Sequence, residues 1–348
     1  MKTKIGNLLV IILFINLFLV GCRNNPDKKS QDVQTTDQEQ TTQKEVDEFD
    51  LLLTYLEENG NFINSAYVPA MIGSDKVKEN LGKKDFLVID IRKPGSYEEG
   101  HIKDAVNVKF SELIPYFENK ITPQDYSKIV MVCYSGQSAS FAAGILNLLG
   151  YDNVYAMKFG MSSWDIKTAK THWLKNISDK YLNKLETKDN PKNKSGAYPK
   201  LYTGEKDAVK ILHNRAQAAL DDSFKSRLVS AEEVYNNPDK YYVVNYWPKD
   251  HYAEGHLPGA IQYTPKKSLS STTFLNTLPT DKPVVVYCFT GQHASFVAAF
   301  LNTLGYDARV LKYGANSFMH SKLKEKKWHP FTRKKIHNYK VEKGELVH

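Results

Sequence analysis

The chain has 348 residues, a formal net charge of +8 and three cysteines. Hydrophobic residues at 41% and charged residues at 25% supply material for real cores, which excludes a wholly disordered chain, and the length suits two or three domains. Three cysteines are too few for a disulfide scaffold, and no Cys-x-x-Cys or Cys/His cluster points to a bound metal.

Residues 1–21 read as a signal peptide. Lys2 and Lys4 form a positive start, and the apolar run Leu8–Val20, broken only by Asn16, is shorter than the ~20 residues of a spanning helix. The sequence Leu19-Val20-Gly21-Cys22 resembles the lipobox of bacterial lipoproteins. That resemblance implies cleavage before Cys22, lipidation of its thiol and a globular part held to a bacterial membrane outside the cytoplasm. In a Gram-negative source this means the outer membrane or periplasm, since Arg23 stands where an aspartate favours inner-membrane retention. Residues 22–47, with Val33 and Val46 their only large apolar residues, read as a lipidated cysteine and flexible tether.

The remainder is a duplication. Glu99-Gly100-His101-Ile102 recurs as Glu254-Gly255-His256-Leu257, and Leu149-Gly150-Tyr151-Asp152 as Leu304-Gly305-Tyr306-Asp307, each 155 residues on. Between Cys133–Asp152 and Cys288–Asp307, 13 of 20 positions are identical without a gap. A period of this size is a domain, not a solenoid repeat. The first copy, residues 48–186, alternates short β-branched runs with helical segments. Phe86–Ile91, Ala105–Val108, Lys128–Val132 and Val154–Met157 are expected as strands. Phe110–Lys120, Ser138–Leu149 and Met161–Lys170 are expected as helices. Residues 187–203, rich in Pro and Lys, read as a linker, and the second copy as residues 204–328, opening with a helix over Gly204–Asp222. Residues 329–348 form a basic tail. Such alternation predicts an α/β fold with two parallel sheets, each covered on both faces.

Both copies place a cysteine at the end of an apolar strand, followed by a glycine-containing turn and an apolar helix. The loops are Cys133-Tyr134-Ser135-Gly136-Gln137-Ser138 and Cys288-Phe289-Thr290-Gly291-Gln292-His293. The strand's carboxyl end is where open α/β sheets bind ligands. Loop amides and the helix N-terminus favour an anion there, so the thiol pKa is expected to fall from about 8.5 toward about 3.5–7.5. Cys133 and Cys288 are the candidate nucleophiles, and the other ten loop residues the candidate substrate contacts.

Taken with Asp90-Ile91-Arg92, Tyr97–Ile102, Ala105–Asn107 and Gly160–Trp164, these loops resemble the rhodanese (sulfurtransferase) family in order and spacing, over residues 65–175 and again 227–325. The resemblance implies two tandem five-stranded parallel sheets and a cysteine that cycles through a persulfide. Sulfane sulfur would pass from thiosulfate, a polysulfide or a persulfide to a thiol, sulfite or cyanide, without metal or organic cofactor. A related Cys-x5-Arg phosphatase site is disfavoured, because no Arg or Lys lies in Cys133–Ser140 or Cys288–Ser295. The same lack weakens thiosulfate as donor. A non-catalytic carrier of sulfide or polysulfide, or a docking module, is the rival reading.

The copies differ. Asp90 and Arg92, expected as supporting residues, align with Asn245 and Trp247, and this ranks Cys133 above Cys288 as catalyst. His101 and His256 are expected to be structural, and a Cys133–Cys288 disulfide is not expected. Residues 321–348 hold nine Lys/Arg and three Asp/Glu, so the excess positive charge sits in the tail. The tail is expected to be a solvated basic end, and the body no nucleic-acid binder. No protein partner is legible.

Overall fold

The computed structural model describes residues 47–344. The proposed signal peptide, Cys22 and nearly all of the tether lie outside them. Two five-stranded parallel sheets form, in the orders β1-β5-β4-β2-β3 and β6-β10-β9-β7-β8. In the first, β2 (Phe86–Asp90), β4 (Lys128–Val132) and β5 (Val154–Met157) are the expected apolar runs, flanked by β1 (Met71–Ile72) and β3 (Val106–Asn107). The second repeats it with β6 (Leu228–Val229), β7 (Tyr242–Asn245), β8 (Ile261–Gln262), β9 (Val284–Tyr287) and β10 (Ala308–Leu311). The cysteine-bearing strands β4 and β9 are central, so both thiols emerge mid-sheet.

The expected helix Met161–Lys170 divides at Asp165, whose extended backbone (φ −136°, ψ 135°) ends Met161–Trp164 and caps Ile166–Thr171. The helix expected from Gly204 begins at Ala208, where Asp207 accepts a hydrogen bond from the Lys210 amide and caps it.

Helices Gln137–Leu148 and Gln292–Thr303 are buried along almost their whole length. Each lies between its own sheet and the other helix, which is why both are predominantly apolar. Small residues permit the approach: a Cβ on Gly144 would press on Ala299 and Phe296.

The two copies also exchange their ends. The N-terminal helix Glu48–Glu58 lies on the second domain, where the Phe49 ring stacks on Tyr198 at 4.4 Å and Glu57 accepts hydrogen bonds from the Ser271 amide and hydroxyl. Helix Ala208–Asp221 returns the favour: Gln217 donates to the Ser111 carbonyl of the first domain. At the end of the first copy, the Ser178 and Tyr181 amides donate to Asn316 and Phe318, and Glu186 pairs with His256 through two bonds of 2.9 Å. After the second, the His337 and Tyr339 amides donate to Ser163 and Trp164, and Glu342 pairs with His101 in the same way.

The expectation of a solvated basic tail is therefore corrected. Through residue 344 the tail is an arm laid across the first domain, with Phe331 fully buried against Phe159, Trp173 and Tyr313. Its lysines project outward while its aromatic residues pack. The linker is likewise laid against the second domain. There the Gly196 amide donates to the Asn276 carbonyl, and the Lys192 ammonium sits 4.8 Å from the Tyr263 ring centre.

Candidate active site

Each cysteine follows its central strand and precedes a helix N-terminus. Gly136 and Gly291 adopt φ of +87° and +75°, which a residue with a Cβ reaches only with strain. They also leave room for a close approach: a Cβ on Gly136 would strike the Gln292 amide, and one on Gly291 the Gln137 amide. The Cys133 sulfur accepts hydrogen bonds from the Gly136 amide at 3.1 Å and the Ala139 amide at 3.4 Å. The Cys288 sulfur accepts one from the Ala294 amide at 3.4 Å. Both are free thiols and both are buried.

For Cys288 the expected fall in pKa is not found. Burial pushes the thiol up, against the amides of Ala294, Thr290, Gly291 and His293, which favour the thiolate. A cradle of neutral dipoles does not offset the desolvation of a thiolate at this buried position.

Gln137 and Gln292 turn away from their own cysteines. The Gln137 side chain accepts from the Tyr313 amide at 2.9 Å and donates to the Leu311 carbonyl at 3.2 Å. Gln292 accepts from the Phe159 amide at 3.0 Å. Their amide groups fasten one domain to the other, which accounts for their recurrence, and Gln292 also lines the cavity beside Cys288.

Around the first loop, the Tyr134 ring stacks on His172 at 4.6 Å, and its hydroxyl donates to Ser96 at 2.6 Å. Trp173 donates from its indole nitrogen to the Ser135 carbonyl at 3.0 Å. Asp90 and Arg92 form a buried pair at 2.7 Å, and Arg92 also donates to the Gly100 carbonyl. The guanidinium lies 5.6 Å from the Tyr134 ring centre. In the second copy a neutral pair replaces this: Asn245 donates to the Tyr287 hydroxyl at 2.8 Å, while Trp247 stacks on Phe289 at 4.7 Å. His101 and His256 stack on Tyr97 and Tyr252 and share a hydrogen bond with the backbone carbonyl of the same residue, the structural role expected of them.

Cys288 lines a cavity of about 460 Å³. Thr290, Tyr246 and His293 share its wall; His293 stands edge-on to Tyr246 and is held neutral by burial, with a pKa of about 3. Other lining residues come from elsewhere in the chain: Lys158 and Phe159 from the first domain, and His329 and Lys335 from the C-terminal arm. None of these four was legible as a site residue. A smaller hollow of about 240 Å³ lies beside helix Glu48–Glu58, and neither cysteine lines it. Among the described residues no cluster of three or more His, Cys, Asp or Glu is placed to hold a metal.

Comparison with known proteins agrees with this architecture. The rhodanese-like domain model matches residues 74–167 and 230–321, together more than half the chain. The thiosulfate sulfurtransferase GlpE of Pseudoalteromonas translucida is 34% identical over 87 residues, 25% of this chain and 80% of that protein. A rhodanese-related protein of Thermoplasma volcanium is 28% identical, covers 27% of this chain and 88% of its own, and superposes with a TM-score of 0.24. SseA of Escherichia coli, described among 3-mercaptopyruvate sulfotransferases, is 16% identical, covers 70% of this chain and 97% of its own, with a TM-score of 0.26. The chain belongs to the rhodanese-like family, carrying its domain twice in tandem. It is accordingly a sulfurtransferase-type enzyme.

Proposed function

We propose that the protein moves sulfane sulfur from thiosulfate, a polysulfide or a persulfide to a thiol, sulfite or cyanide through a cysteine persulfide. The observation that carries this is a cysteine sulfur at the end of a central strand, facing backbone amides and opening on a cavity. The thiolate attacks the outer sulfur of the donor. A new S–S bond forms, and the rest of the donor leaves with the electron pair of the broken bond. The acceptor then attacks that outer sulfur, and the cysteine departs as the thiolate. The cysteine thiolate that attacks in the first half-reaction and departs in the second carries its negative charge where the loop amides point. Incubation with a donor should add a 32 Da, cyanide-labile adduct to the peptide containing Cys288 or Cys133, and a thiol acceptor should discharge it repeatedly. An adduct that never turns over would instead mark a carrier, and absence of any adduct a docking module.

The same proposal places the enzyme on a bacterial membrane, facing away from the cytoplasm, through lipid on Cys22. The support is the sequence Leu19-Val20-Gly21-Cys22 behind a charged, apolar leader. Among the described residues no helix is long and apolar enough to cross a membrane. Cells fed radiolabelled palmitate should label the wild type and not Cys22→Ala; an unlabelled wild type would remove the anchor.

A further inference from the structure

The loop around Cys288 carries no lysine or arginine of its own, yet two lysines from distant parts of the chain line the cavity it opens on. Lys158 directly follows β5 of the first domain, and Lys335 sits in the C-terminal arm; both are exposed to solvent. His293 and His329 share the wall with them, and no Asp or Glu does. The helix Gln292–Thr303 adds its positive end behind the thiol. Lys158, Lys335 and His329 line the same cavity, and after burial the two lysine charges favour the neutral form of His329.

The arrangement recurs in the other copy. Lys312 holds the position in the second domain that Lys158 holds in the first, directly after β10 and before an aromatic residue and a glycine. After burial, Lys312 and Arg92 help to keep His172 unprotonated, and His172 stacks on Tyr134 of the first cysteine's loop. Phe159 and Tyr313, which directly follow Lys158 and Lys312, donate from their amides to Gln292 and Gln137, so each lysine is anchored beside the cysteine loop of the other domain.

We propose that Lys158 and Lys335 form the anion-binding pair of the Cys288 site, supplied across the domain boundary in place of a basic residue in the loop, and that they select sulfur donors with an anionic group beside the transferable sulfur. This rests on Cys288 as the sulfur-accepting residue. The donor's outer sulfur meets the thiolate, and its sulfonyl or carboxylate oxygens face the two ammonium groups. The ammonium groups also steer the donor in and stabilise the anionic leaving group. Lys158 is then a specificity residue that the loop sequence does not contain.

Two alkylating agents of similar size, one anionic and one neutral, test this without relying on sulfur transfer. The full chain is treated at pH 8.5 with iodoacetate or with iodoacetamide, and the rate at the Cys288 peptide is read by mass spectrometry. The iodoacetate-to-iodoacetamide rate ratio should exceed that of free glutathione. It should fall about threefold to tenfold in Lys158→Ala, and again in Lys335→Ala, as removal of one nearby charge in a partly solvated site predicts. The iodoacetamide rate should stay within about twofold, showing that the cradle is intact, and the ratio at the Cys133 peptide should not follow Lys158→Ala. A Cys288 ratio unchanged in both variants would overturn the assignment. A protein that transfers no sulfur but shows the lysine-dependent ratio would overturn the proposed activity and leave the anion site standing.

Discussion

Serine at position 288 is expected to lower cyanide-dependent sulfur transfer at least about 100-fold, because a hydroxyl neither attacks sulfane sulfur nor carries it as a persulfide. Serine at position 133 is expected to leave the larger part of that activity. The expectation from sequence ran the other way, since the first copy keeps Asp90 and Arg92. In the structure those two side chains pair with each other and Arg92 with the Gly100 carbonyl, so their hydrogen-bonding groups are engaged within the first domain. Cys288 is the cysteine that lines the large cavity, with lysines facing it. Separate assays of the two variants, each normalised to folded protein by circular dichroism, decide the order. Full activity in Cys288→Ser would return the catalytic role to Cys133.

The second large effect is on stability. Phe331→Ala should cost about 3–5 kcal/mol, the usual consequence of emptying a buried aromatic site. The ring is fully buried, stacks on Trp173 at 4.9 Å and meets Phe159 edge-on at 5.1 Å. Its backbone is held on both sides: the amide donates to Asn316 at 2.8 Å, and the carbonyl is bonded to His320 at 2.7 Å. For a chain of this size the loss corresponds to a fall in melting temperature of roughly 10 °C. Lys334→Ala, on the exposed side of the same arm, should change stability by no more than about 0.5 kcal/mol. Scanning calorimetry of both variants checks this. A Phe331→Ala melting temperature within 2 °C or so of the wild type would mean that the arm is not docked in solution.

What the sequence discloses follows from how local each signal is. The runs Phe86–Asp90, Lys128–Val132 and Val154–Met157 are continuous and apolar, so their strands are legible one by one. The edge strands Met71–Ile72 and Leu228–Val229 are two residues long, too short to show any period. In the arm, lysines dominate the composition and hide the packed side. The signal that could have found it is the aromatic set Trp328, Phe331 and Tyr339, which a solvated tail has no use for. The cysteine loops were legible as loops, but their glutamines were not legible as clasps. A residue kept in both halves of a duplication can serve a ligand or can serve the other half, and recurrence alone does not separate the two. Lys158 lies far from Cys288 along the chain, and only folding brings it to the cavity.

The exchanged ends and the two glutamines share one geometrical property. Gln137 reaches the segment Leu311–Tyr313, and Gln292 reaches Phe159 at the matching place. Glu186 meets His256 as Glu342 meets His101. A contact between patch i and patch j that is repeated as j with i is the mark of an isologous two-fold interface, the kind that closes a homodimer. This single chain is therefore built as a dimer whose subunits have been joined end to end. The covalent join fixes stoichiometry at one to one. It also frees the two halves from identity, so one site can keep Arg92 and the other take Trp247, which no symmetric dimer of one gene product permits.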